Sequence, residues 1–244
     1  MSMVRTVADA SALAEAAAGH FALMAEEAIA KRGRFAVALS GGSTPRRMYE
    51  RLAQPELAER IDWLRVHVFW GDERAVPPEH PESNYRMAHE VLLSRVPIPA
   101  QNIHRIRGEL APEEAAKTYE AELRQFFSRD QRPVSSRFDL VLLGMGEDGH
   151  TASLFPGAAA INETDRWVVA YYVEKLQAWR ITLTPVVLNA AAQVTFLVSG
   201  AEKAARLRQV LYGPYQPQAL PAQIIRPAHG RLLWLIDEAA AGLV

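Results

Sequence analysis

His150 closes a short glycine-rich run, Gly144-Met145-Gly146-Glu147-Asp148-Gly149-His150. Imidazole is the side chain whose ordinary titration falls near neutrality, so it suits proton transfer, and a carboxylate two residues earlier, Asp148, can orient it. The glycines allow backbone N–H groups to approach a ligand closely. A lone histidine is more often structural or solvated. What favours this one is its position directly after an apolar strand pattern, FDLVLLGMG.

Three further loops carry groups of the same kind. In Ser40-Gly41-Gly42-Ser43-Thr44-Pro45, Gly41 and Gly42 permit close backbone approach and Ser43 and Thr44 offer hydroxyls. Thr44-Pro45 fits the N-cap and first-turn positions of a following helix. Such an end attracts anions, and Arg46 and Arg47 in its first turn sit against the helix dipole unless something negative lies nearby. The loop lacks the lysine of a P-loop, and taken alone it fits a capped helix with two solvated arginines better. Gly71-Asp72-Glu73-Arg74 places two carboxylates and a guanidinium where VHVFW ends, either as a surface ion-pair cluster or as part of a site. Val198-Ser199-Gly200-Ala201-Glu202-Lys203 puts Lys203 just inside a helix, and Arg180 opens the apolar stretch RITLT. Together these cations point to a phosphorylated ligand. No HExxH, paired histidines or cysteine cluster supplies a metal-ligand set, so neither metal nor cofactor is expected.

The elements that must position these loops follow from patterning. Apolar runs at 34–39, 66–70, 138–143, 167–173, 180–184, 194–198 and 232–237 alternate with helical stretches, among them 85–94 and 111–127. This alternation predicts an α/β, Rossmann-like fold: a mostly parallel sheet with helices on both faces, and ligands at the carboxyl ends of its strands. No internal repeat or linker divides the 244 residues, so one domain over 1–244 is expected, with 212–227 an ordered surface excursion. Lys+Arg 27 against Asp+Glu 28 leaves a net charge of −1, too little to hold nucleic acid or an anionic membrane non-specifically. The chain has no cysteine, which suits a reducing compartment and makes the cytoplasm the expected location. No apolar run approaches the roughly 20 residues of a membrane span.

SGGSTP, GDERAVPPEHPESNYRMA, GMGEDGHTASLFP and VSGAEK, in this order and at these separations, closely resemble the 6-phosphogluconolactonase family, part of a superfamily with the glucosamine-6-phosphate isomerases. The resemblance spans most of the chain. GDER with SNYRMA, and GEDGHTASLFP, are its most specific parts. It implies metal-free hydrolysis of 6-phospho-D-glucono-1,5-lactone in the pentose phosphate pathway, with His150 as general base. It also implies Arg74, Arg180 and Lys203 around the 6-phosphate, and Gly41, Gly42, Ser43 and Thr44 as its cradle. Asp72 falls at the sugar end, binding hydroxyls or tuning His150, and Asn84 has a role in loop architecture. The implied partner is a small phosphorylated sugar lactone, with no nucleic acid, membrane or obligate protein partner. Two rivals share parts of the pattern. An isomerase/deaminase of glucosamine 6-phosphate carries a glutamate where Phe155 stands here. A non-catalytic sugar-phosphate sensor needs a DNA-binding segment, for which the 33 residues before the first strand are too few.

Overall fold

The computed structural model describes residues 2–128 and 137–244. In chain order the elements begin with β1 (Ser2–Val7), α1 (Ala10–Arg32), β2 (Phe35–Leu39), α2 (Ser43–Leu52), α3 (Pro55–Ala58), β3 (Val66–Trp70) and β4 (Asp72–Arg74). They continue with α4 (Asn84–Ala88), α5 (Pro112–Ser128), β5 (Leu140–Leu143), β6 (Val168–Val173), β7 (Ala178–Leu183) and α6 (Pro185–Leu188). Last come β8 (Gln193–Val198), α7 (Ala204–Tyr212), β9 (Arg231–Asp237) and α8 (Glu238–Ala241).

Six strands form one parallel sheet in the order β1-β9-β8-β5-β2-β3. Every residue of β2, β5 and β8 is buried. Successive side chains of a strand point to opposite faces, so these strands are covered on both, which is why β2 and β5 read as unbroken apolar runs and β8 as one interrupted only by Gln193 and Thr195. The longest helix, α1, starts where the Asp9 carboxylate accepts from the amides of Ser11 and Ala12 at 2.9 and 2.8 Å. It stops at Gly33, whose φ of 78° a residue with a side chain rarely adopts. Its inward face, including Leu13, Ala17, Phe21 and Ala28, joins the main core.

The stretches 167–173 and 180–184, read from sequence as strands of the parallel sheet, instead build a separate antiparallel sheet, β4-β7-β6. The junction is Gly71, the single residue between β3 and β4. Its amide donates to Leu39 O in the parallel sheet at 2.8 Å, and its carbonyl accepts from Leu183 N of β7 at 2.8 Å. The helix expected over 85–94 starts as α4 and ends in one wide π turn, His89–Leu93. The excursion at 212–227 is ordered by Gln223, whose amide nitrogen donates to the carbonyls of Gln209, Val210 and Pro214 while its oxygen accepts from Gln216 N at 2.7 Å. Among the described residues no helix is long and apolar enough to cross a membrane.

Candidate active site at the carboxyl edge of the parallel sheet

From β2 the chain steps outward to β3 on one side, while β5, β8 and β9 follow on the other. At such a switch point the loops diverge and leave a crevice. The loops after β2, β5 and β8, together with β4, β7 and the β6–β7 turn, line a cleft of about 610 Å³ there. His150, Asp148, Asp72, Gly41, Gly42, Ser43, Thr44, Arg74, Arg180, Lys203 and Asn84 all border it.

The loop after β5 is folded tightly around His150. Gly146 N donates to His150 O at 2.9 Å, Gly149 N donates to Gly146 O at 3.0 Å, and Thr151 Oγ1 donates to Gly144 O at 2.9 Å. A Cβ on Gly146 would stand 2.1 Å from the imidazole, so any side chain here must displace the ring. The Asp148 carboxylate lies 2.5 Å from His150 Nδ1 and also accepts from His150 N at 3.2 Å. Because a carboxylate accepts, Nδ1 carries the proton and Nε2 of the neutral ring keeps its lone pair. Burial pushes the Asp148 carboxyl up, but hydrogen bonding and charge from His150, with Lys175 Nζ 3.3 Å away, outweigh it and hold the group below the ordinary aspartate range. The imidazole packs on Phe155 with ring centroids 4.3 Å apart.

The GDER residues divide their work. Asp72 is buried at the cleft wall, accepting from Ser153 Oγ at 2.6 Å and from Asn84 Nδ2 at 3.4 Å, while Asn84 also reaches Asp72 O at 2.9 Å. Asp72 makes no bond to His150; the carboxylate that does is Asp148. Glu73 points into the fold and accepts from the amides of Asn84 and Tyr85 at 2.8 Å each, anchoring α4. Burial pushes its carboxyl up against the opposing effect of those amides. Arg74 and Arg180 face each other in the β4–β7 register. Arg74 donates to Glu82 O and Arg180 to Trp179 O, yet neither has a carboxylate in ion-pairing range among the described residues. Burial and then the Arg74 charge lower the Arg180 pKa. Two guanidiniums side by side without a direct ion pair, offset only by the more distant charges of Asp72, Glu82 and Glu73, are an arrangement that an anion relieves.

On the opposite wall α2 begins at Ser43, two residues from the expected Thr44-Pro45 start. Its N-cap is Gly42, at φ 109°, and no side chain caps it. The first-turn amides are therefore left to the cleft, a suitable end for an anion. A Cβ on Gly41 would come within 1.9 Å of Asn84 Oδ1, which ties this loop to the Asp72 wall. Arg46 and Arg47 do not reach the cleft: Arg46 pairs with Glu50 one turn on at 3.0 Å, and Arg47 borders a separate hollow beside Glu15. For Arg46 the i,i+4 partner, not an anion, resolves the conflict with the dipole. Lys203 ends a 3₁₀ turn, Ala201–Lys203, at the N-cap of α7 and not inside it, with Nζ 3.6 Å from Glu147 Oε1. Sequence reasoning missed Ser153, whose hydroxyl fixes Asp72, and Lys175. Ser153 lay within a quoted motif, but nothing local marked its partner. Among the described residues no three His, Asp or Glu side chains gather as a metal-ligand group.

Fold and cleft together define a Rossmann-like α/β protein with a crevice bordered by cationic side chains and a carboxylate–imidazole pair at its switch point. The chain belongs to the glucosamine-6-phosphate isomerase/6-phosphogluconolactonase family, whose model matches residues 8–234. It is 45% identical over 215 residues to the 6-phosphogluconolactonase of Synechocystis sp. (strain ATCC 27184 / PCC 6803 / Kazusa), covering 88% of this chain and 86% of that one. The crystal structure of 6-phosphogluconolactonase from Thermotoga maritima superposes with a TM-score of 0.82 at 32% identity, covering 97% of this chain and 100% of the other. A monomeric glucosamine-6-phosphate deaminase shares the fold at a TM-score of 0.84 and 19% identity over 99% of this chain and 100% of its own. The fold thus hosts both chemistries, and side chains must discriminate between them.

Proposed function

We propose that this chain, acting as one domain, hydrolyses 6-phospho-D-glucono-1,5-lactone to 6-phospho-D-gluconate. The observation that carries the reading is the Asp148–His150 pair at 2.5 Å, sharing one cleft with the Arg74–Arg180 pair, Lys203 and the uncapped start of α2. His150 Nε2 takes a proton from water as the water oxygen bonds to C1. The carbonyl π electrons move onto oxygen. Collapse of the tetrahedral intermediate breaks the bond to the ring oxygen, and Nε2 returns the proton to that oxygen. The product acid ionises to a carboxylate. Asp148 keeps Nδ1 protonated throughout, and Asp72 binds sugar hydroxyls. The cationic groups grip the phosphate far from C1, so their binding energy counts through orientation of the ring against water.

Phe155 supports hydrolysis over isomerisation, because it packs an apolar ring on His150 where the resemblance places a carboxylate in the isomerases. The test is proton release from freshly made lactone, corrected for spontaneous opening. Wild type accelerates opening, and His150→Ala lowers kcat by about 10²- to 10⁴-fold with little change in KM. A His150→Ala protein as active as wild type defeats the assignment. Binding without turnover by wild type favours the sensor.

A further inference from the structure

Of the cations that border the cleft, Lys175 is the one that neither the motifs nor the phosphate grip explain. It lies on the turn Glu174–Leu176 between β6 and β7, which closes through Gln177 at φ 47°. Its Nζ is 3.3 Å from Asp148 Oδ2. Asp148 is thereby held from two sides, with Oδ1 receiving Nδ1 and N of His150 and Oδ2 receiving Lys175. Among the described residues no other group bonds Oδ2. The last torsion of an aspartate is broad and two-fold, so a carboxylate free on one side can turn its plane away from Nδ1. An ammonium on Oδ2 opposes that turn. The hold also comes from the antiparallel sheet, whereas His150 and Asp148 belong to a loop of the parallel one.

We propose that Lys175 is a positioning residue for the Asp148–His150 pair: it pins the carboxylate so that Nδ1 stays protonated and Nε2 stays free for water. In its kinetic part this rests on the lactonase reading above. The rival is an exposed ion pair without consequence, since the Lys175 side chain is 73% exposed. The experiment compares wild type, Lys175→Met and Lys175→Arg by kcat and KM on fresh lactone, and by ¹⁵N NMR of the His150 ring in the free proteins. Lys175→Met is expected to lower kcat about two- to fivefold with KM near wild type. Lys175→Arg is expected to restore more than about half of that loss, because a guanidinium can also donate to Oδ2. The ring of Lys175→Met should move from one neutral tautomer toward a mixture of two. Wild-type kcat with an unmoved ring spectrum overturns the proposal, and so does a rise in KM alone, which would make Lys175 a ligand contact. If wild type does not open the lactone, the functional reading falls separately. The ring spectra then decide: a moved spectrum supports Lys175 and an unmoved one overturns it.

Discussion

The two walls of the cleft are built on different principles. The parallel-sheet wall offers the uncapped amides of α2, Lys203 after β8, and an imidazole held by bonds within its own glycine-tightened loop. The antiparallel wall offers long side chains, with Arg74 and Arg180 projecting from strands toward the cleft and Lys175 reaching from a turn to Asp148 on the other side. Amides on a loop cannot be retuned singly but keep their geometry, while side chains on strands can be replaced one by one. Bond-making chemistry is favoured where positions must hold to a fraction of an ångström, and ligand capture where charge matters more than angle.

The sharpest way to break this contrast is Gly146→Ala. The added methyl cannot coexist with the imidazole 2.1 Å away, so the ring must move. We expect kcat to fall about 100-fold on fresh lactone while KM holds within about twofold. A normal kcat would show that the loop is not the rigid wall. Next in size, Arg74→Ala and Arg180→Ala should each raise KM about tenfold with kcat nearly kept, the size of a charged hydrogen bond. Raised ionic strength should weaken the wild type in the same sense. A loss confined to kcat would put the arginines at the reacting carbon instead.

A smaller effect sharpens the picture of the parallel sheet away from the site. On its outer strand, His67 Nδ1 meets His104 Nε2 at 3.2 Å, and His104 Nδ1 meets Glu122 at 2.6 Å. Burial first, then the charges of His104 and Arg34, push His67 from 6.5 down to about 4. The unfolded chain therefore binds a proton that the folded one refuses. Stability is full above pH 6.5, falls as pH drops toward about 4, and levels off below. Urea titrations at pH 7 and 4.5 should show this loss reduced in His67→Phe; an unchanged loss would place the acid-sensitive group elsewhere. Smallest of all is Ser40→Ala at the cleft floor. Tyr49 Oη bonds both main-chain groups of Ser40, yet the buried Ser40 hydroxyl has no partner among the described residues. Its removal should leave the urea midpoint unchanged or raise stability by up to about 1 kcal/mol, whereas a clear loss would reveal a hidden partner.

Much of the fold was legible because the central strands are buried on both faces, a demand that runs of mainly apolar residues meet. The same signal misled at β6 and β7, since an apolar run records burial and not which strand lies alongside. The four motif loops were legible because each follows a strand end, and the parallel sheet brings those ends to one edge. Arg46 and Arg47 were over-read because Arg46 pairs with Glu50 one turn away and Arg47 lies at a separate hollow. Lys175 was illegible for a different reason: it stands 27 residues from Asp148 on an exposed turn, and only the antiparallel pairing carries it back to the cleft.

Gly71 alone links the two sheets along this stretch of chain, with one hydrogen bond into each. On the lactonase reading, that joint makes the span from imidazole to guanidinium pair a gauge for the ligand. A phosphorylated lactone one carbon shorter or longer would satisfy one end of the gauge and miss the other. On that reading, discrimination by length is expected from the backbone, before any side chain reads the hydroxyls.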